Sequence, residues 1–418
     1  MKKLLISLLL LISTLSAYSW DKALWQTILD DPTRADVCMH GYEFDLPAQQ
    51  VNTKAPKGYE LFYISHYGRH GSRSNWGNKD YKLVIDILQQ NKQDDNLTEA
   101  GEQLLAHAQA ILKAYNGMDG RLTDKGEREH AQLAHRMYQR FNPVFQRGLP
   151  VNAVASVIPR SIISMCAFTN ALTAEKSTLH LNFDCGETLQ KYIACAGEYD
   201  DKDMREYITK LMEQHHPNPK ETAHKLFKDP GKTKQLDEQL ETAIYYTCNV
   251  AEDFDIVLNP RDYMSDESLY RQMMNLTYQL SVPFIRVPGF YERRQPTVQL
   301  LINDIVDKAN DAIRTNCAEA DLRFGHDVHL LALAAALHVS GVGETMRPEE
   351  IERRWYGWLN VPMASNIQLI FYRKKNNPTI LFKVLYNEQE RQLIDLKPVD
   401  GPKGVYYNWD DFVKQYTR

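Results

Sequence analysis

The chain has 418 residues, a formal net charge of −5 at pH 7, 43% hydrophobic and 25% charged residues. That is long enough for a sizeable core and about two domains. No basic stripe with interleaved aromatics occurs, which excludes a nucleic-acid partner, and an anionic ligand must be drawn in by a local cluster of arginines, not by the overall field.

Met1-Lys2-Lys3 precedes the apolar run Leu4 to Ile12, and Ala17-Tyr18-Ser19 satisfies a small-x-small cleavage rule. Residues 1–19 therefore read as an export signal, with the mature chain starting at Trp20 and no stable membrane insertion after cleavage. Leu61-Phe62-Tyr63-Ile64 reads as a short buried strand. Ser65-His66-Tyr67-Gly68-Arg69-His70-Gly71-Ser72-Arg73 follows, with a histidine between two arginines. Candidate chemistry thus begins where a strand ends, with Gly68 and Gly71 expected to let the backbone turn tightly. Asp80 to Tyr115 is helical in pattern, and Thr98 and Thr123 are suited to cap helices. Val151 to Val157 reads as a strand and Ile162 to Leu172 as a helix entered just after Arg160.

From about Phe183 to Gln295 charged helical stretches alternate with loop signals such as Asp229-Pro230-Gly231, which reads as a mainly α-helical insertion over 183–295. The core would then comprise 20–182 and 296–418. Val298 to Ile313 begins a return helix, Asp321 to Phe324 is strand-like, and Leu330 to Val339 is apolar enough for a buried helix. Asn366 to Tyr372 and Thr379 to Tyr386 read as a hairpin. The predicted class is α/β, a mixed-sheet core flanked by helices.

There are six cysteines: Cys38, Cys166, Cys185, Cys195, Cys248 and Cys317. An even count in an exported chain permits disulfides, and Cys185 with Cys195 could close a small loop, while buried free thiols fit the same residues. No Cys-x-x-Cys pair occurs, and no metal or cofactor is expected.

The Arg-His-Gly-x-Arg arrangement of Arg69 to Arg73 resembles the signature of the histidine phosphatase superfamily, in its acid phosphatase and phytase branch. That branch usually continues with x-Pro, whereas Ser74 and Asn75 stand here. Three more segments follow in the family's order: Leu122-Thr123-Asp124-Lys125-Gly126, Ser156-Val157-Ile158-Pro159-Arg160-Ser161 and Gly325-His326-Asp327. The resemblance implies a mixed-sheet core interrupted by an α-helical domain.

It also implies that His70 attacks phosphorus, that Arg69, Arg73, Arg160 and His326 bind the phosphoryl oxygens, and that Asp327 is the general acid. The residue chemistry agrees. A neutral imidazole among cations keeps its lone pair, and guanidinium forks match phosphate oxygens. Asp327 equally suits the start of the following helix. His66 and Tyr67 fit a pocket role or simple packing. The expected substrate is a small-molecule phosphate monoester, with oligomeric state open. The rival readings are a phytase-like or multiple inositol polyphosphate phosphatase, a phosphoglycerate-mutase-like transferase, and a catalytically inactive phosphate-binding surface protein. The inositol polyphosphate phosphatases usually carry His-Ala-Glu where His326-Asp327-Val328 stands. A polyanionic substrate would need further cations such as Lys79, Lys82, Arg293 and Arg294.

Overall fold

The computed structural model describes residues 20–194, 201–233 and 238–417. The expected export signal (1–19) and Cys195 lie outside the described residues. Among the described residues, eight strands form one sheet: β1 (Tyr59–Arg69), β2 (Pro150–Ala155), β3 (His180–Asp184), β4 (Ala320–Gly325), β5 (Asn366–Lys374), β6 (Asn377–Tyr386), β7 (Gln389–Arg391) and β8 (Tyr407–Asn408). Their order is β3-β2-β4-β1-β5-β6-β7, with β8 against β6. β1, β2, β3 and β4 run parallel, and β5 onward is antiparallel. The sheet is therefore mixed, as expected.

Alternation along the strands supplies two apolar faces. Ile64, Val151, Ala153, Leu322 and Phe324 pack under the helices Asp124–Phe141 and Pro159–Glu175. Phe62, Tyr63 and Tyr67 face the opposite layer, which holds the helices Tyr291–Thr315 and Asp327–Ala336. In the latter helix every residue from His329 to Ala336 is buried. The helices Lys79–Gln93 and Glu99–Tyr115 share that second core with Lys202–Met212, Glu238–Cys248 and Asp266–Phe284.

Several expectations shift in detail. The first strand is not confined to Leu61–Ile64. It runs to Arg69 because β4 and β5 keep pairing with it through Gly68. Gly68 is thus extended within the strand, and neither it nor Gly71 has a positive φ, so neither position draws on the left-handed backbone freedom of glycine. Gly71 is needed for close approach instead: a Cβ there would lie 2.6 Å from the Gly126 carbonyl oxygen. The C-terminal hairpin is present, with a tighter turn in which Asn376 takes φ +58°. Cys38, Cys166, Cys185, Cys248 and Cys317 carry free thiols.

Candidate active site

The parallel strands β1, β2 and β4 end together, Arg69 beside Gly325 and Ala155 beside Phe324. Ligands of open α/β sheets bind at this carboxyl edge. Each strand end delivers part of the predicted set, and His70, Arg69, Arg73, Arg160, His326 and Asp327 all converge there.

His70 follows β1 and is fully buried. Its backbone N–H donates to the Gly325 carbonyl at 3.0 Å, tying the β1 and β4 ends together. Its ring Nδ1 lies 2.9 Å from the Gly71 carbonyl oxygen. A carbonyl only accepts, so Nδ1 carries the proton and Nε2 keeps a lone pair. Burial, then Arg160 and Arg69, push the His70 pKa well below the usual histidine value. The ring is neutral, as a nitrogen nucleophile must be.

Arg69 is entirely buried and heavily tied. Its Nη1 donates to the Cys38 carbonyl at 2.6 Å and the Val361 carbonyl at 2.7 Å. Its Nη2 pairs with the Asp327 carboxylate at 3.0 Å. Arg73 donates from Nη1 to the Ser74 carbonyl at 2.8 Å. Arg160 is the second residue of the Pro159–Glu175 helix, which Pro159 opens. Its Nη2 lies 3.3 Å from His326 Nδ1. Burial and the neighbouring Arg73 lower its pKa to about 9, which leaves it charged at neutral pH.

His326 sits in the cap position of the Asp327–Ala336 helix. Arginine can only donate, so His326 Nδ1 accepts, and Nε2–H is left to donate to Ser156 Oγ at 3.0 Å. Burial and Arg160 lower its pKa to about 3. Asp327 occupies the first helical position and accepts the Val328 N–H at 2.8 Å. Helix start and candidate acid therefore coincide in one residue. Burial pushes the Asp327 carboxyl up, but Arg69, His326, the Val328 N–H and Arg73 together outweigh it and hold the pKa down to about 2. In this arrangement Asp327 is ionised.

His66 and Tyr67 support the site from behind. His66 packs between Phe168 and Phe324, and burial lowers its pKa to about 3. Tyr67 donates to the Ile193 carbonyl at 2.8 Å, and its oxygen lies 3.3 Å from the His326 backbone N–H.

The loop carrying Ser72 rests on the Asp124–Phe141 helix. Thr123 caps that helix, and its N–H and hydroxyl both donate to the Ser72 carbonyl, at 2.9 and 3.1 Å. A Cβ on Gly126 would collide with that same carbonyl, so only glycine admits the approach. Glu129 accepts from the Ser72 N–H at 2.7 Å, the Ser72 hydroxyl at 2.9 Å and the Tyr42 N–H at 3.0 Å. Sequence reasoning missed Glu129. Its signal was a glutamate on the buried stripe Gly126, Glu129, Leu133 and Met137. Ser156, Trp76 and Ser164, whose hydroxyl oxygen accepts the Gly71 N–H at 3.2 Å, were also missed. Where the branch pattern has proline, Asn75 donates from Nδ2 to the Tyr246 carbonyl at 2.8 Å, and Ser74 before it donates its N–H to the Arg121 carbonyl at 3.0 Å and its hydroxyl to the Met118 carbonyl. Side-chain and backbone bonds fix the loop exit that a proline ring would otherwise restrict.

The cations considered for a polyanion divide. Lys79 and Lys82 lie at the start of the Lys79–Gln93 helix, and Lys79 lines a cavity together with Arg73. Arg293 pairs instead with Asp201 and Asp203. The Arg294 side chain lies outside what the structure describes.

Residues 68–387 match the family model described as histidine phosphatase superfamily (branch 2). The chain belongs to this family, and it is a phosphomonoesterase. Its fold is similar to the apo Bifidobacterium longum multiple inositol polyphosphate phosphatase, with TM-score 0.73 at 16% identity over 92% of this chain and 98% of that one. It is also similar to the D. castellii phytase, with TM-score 0.63 at 14% identity over 92% and 84% of the two chains. Hafnia alvei phytase in complex with tartrate gives TM-score 0.54 at 11% identity over 87% and 97%. No curated protein matches the chain. Among the described residues, no helix is long and apolar enough to cross a membrane.

Proposed function

We propose that the protein is an exported hydrolase of small phosphate monoesters that works through a phosphohistidine on His70. The observation that carries this reading is the neutral His70 ring, held through Nδ1 on the Gly71 carbonyl with Nε2 bare among Arg69, Arg73 and Arg160. The Nε2 lone pair attacks phosphorus. The ester P–O bond breaks, and its electrons go to the leaving oxygen, which takes a proton from Asp327. Water then attacks the phosphorus, the P–N bond breaks, and Asp327 takes the proton that water gives up. Arg69, Arg73 and Arg160 hold the phosphoryl oxygens, where charge spreads in transfer, and His326 joins them by donating from Nδ1 once phosphate draws Arg160 away and that nitrogen takes a proton.

Asp327 must be protonated for the first step. A phosphate dianion that draws Arg69 toward itself weakens the largest of the influences that keep Asp327 ionised and adds its own negative charge, and burial then raises the Asp327 pKa. Export rests on residues 1–19. The alternative, a phytase-like hydrolase of inositol polyphosphates, draws on the names of the fold relatives and on Lys79 beside the site.

The test is phosphate release from aryl phosphates, sugar phosphates and inositol hexakisphosphate, with His70→Ala alongside. The variant is expected to stay folded and lose nearly all turnover on every ester. Near-normal turnover by His70→Ala would refute the mechanism.

A further inference from the structure

Trp76 is a large apolar side chain that is 64% exposed at the edge of the site. It is not on a loose loop. Asn75 donates from Nδ2 to the Tyr246 carbonyl at 2.8 Å, and its own carbonyl accepts the Gly120 N–H at 2.8 Å. Gly120 takes φ +59° and lies so close to the six-membered indole ring that a Cβ would come within 2.9 Å. The Arg160 guanidinium lies 4.4 Å from the ring centroid and that of Arg73 lies 5.1 Å away. Two phosphate-binding candidates thus hold the indole by cation–π contact, and much of its surface stays open.

The space beside it is a cavity of about 470 Å³, which Cys38, Met39, Trp76, Tyr246 and Leu276 line with apolar surface. Apart from Arg73, its charged lining residues are Lys79 and Asp80, which cancel. On the adjoining surface Lys82 stands with Asp86 and Glu238. The outer phosphates of a polyanion would meet no cluster of cations here, whereas a flat apolar ring would meet an indole, a phenol and a leucine.

We infer that the leaving group of the preferred substrate is a planar aromatic ring stacked on Trp76, so that the enzyme favours phosphate esters of phenolic or similar aromatic alcohols. This rests on the phosphohistidine phosphatase reading and narrows its substrate class. Trp76 is then a specificity-determining residue. Stacking of aromatic pairs adds a roughly five- to tenfold preference over equal apolar contact.

The test is direct calorimetry with benzylphosphonate and cyclohexylmethylphosphonate, which share a charged group and size but differ in flatness. The wild type is expected to bind the flat ring roughly fivefold or more tightly. Trp76→Ala should bring the two dissociation constants together, and Trp76→Phe should keep most of the difference. Trp76 is exposed, so both variants should fold. Equal affinities in the wild type, or a preference that survives in Trp76→Ala, would overturn the inference. So would a higher kcat/KM for inositol hexakisphosphate than for phenyl phosphate. If no ester is turned over while the binding preference holds, the phosphatase reading fails and the aromatic subsite stands.

Discussion

Asp327 illustrates how one side chain can be in the right place and the wrong protonation state. Its carboxylate faces Arg69 at 3.0 Å and is held near a pKa of about 2. In the proposed mechanism it acts as an acid only once bound phosphate competes for Arg69. A general acid matters most for poor leaving groups. Asp327→Asn is therefore expected to slow alkyl phosphates by ~10²-fold or more and activated aryl phosphates by less than ~10-fold. Asparagine keeps an acceptor for the Val328 N–H, so the helix start survives. Equal losses in kcat/KM on both substrate types would leave Asp327 a structural role only. Arg160→Ala should weaken both types alike, because the group it would contact is common to both.

At the scale of elements, the phosphate loop is mounted on a buried acidic cluster. Glu129 holds Ser72, Asp253 stands beside Glu129 and Glu252, and Asp36 stands beside Glu252 and Asp253. Burial, reinforced by Glu129, raises the Asp253 pKa well above the usual carboxylate range. A raised carboxyl pKa costs stability at neutral pH, and the cost fades as pH falls through the folded value toward the unfolded one, about 4. Asp253→Asn is expected to raise Tm at pH 7 by a few degrees, with the gain shrinking toward pH 4. A lower Tm at pH 7 would mean that the ionised carboxylate is needed to hold Ser72 or Arg73. None of this was visible in the sequence, because Asp253 lies more than a hundred residues from the helix it meets. The four segments that carry the predicted site, by contrast, were legible, since each keeps its chemistry within a few residues of a strand end or helix start.

For the whole molecule, the mixed α/β class was readable from strand-like runs and helical spacing, and the sheet order was not. Strand order depends on which ends meet, and β1 finds β4 some 250 residues on. Division of the chain into a core and an insertion over 183–295 remains a proposal. The helices of 79–115 share one core with those of 202–284, which favours cooperative unfolding of the helical layer. His40 joins distant parts of this assembly. It pairs with Glu43 at 3.2 Å and Glu252 at 3.3 Å, and its carbonyl accepts the Met363 N–H at 2.8 Å. Burial opposes its charge, but the hydrogen bonds to Glu252 and Glu43 outweigh that and raise its pKa to about 10. A histidine whose folded pKa is raised contributes fully below its unfolded pKa of about 6.5 and loses that contribution as pH rises through the folded value. His40→Gln should therefore destabilise by about 2–4 kcal/mol near pH 6, with the gap to wild type closing toward pH 10. Denaturant titrations at both pH values decide it, and a gap that widens with pH would contradict the ion-pair account.

In the proposed mechanism, the bond from the His70 ring to the next residue's carbonyl also determines which phosphohistidine isomer can form. Only Nε2 is open to phosphorus, so a quenched enzyme should carry the Nε2 isomer and none of the Nδ1 isomer, which nitrogen-15 and phosphorus-31 spectra distinguish. With phosphorus on Nε2 and a proton on Nδ1, the ring becomes a cation, and the Gly71 oxygen that earlier fixed the tautomer now faces that positive charge. A cationic imidazole departs from phosphorus more readily than a neutral one. The same main-chain oxygen thus serves both halves of the proposed cycle, and no side-chain substitution can remove it.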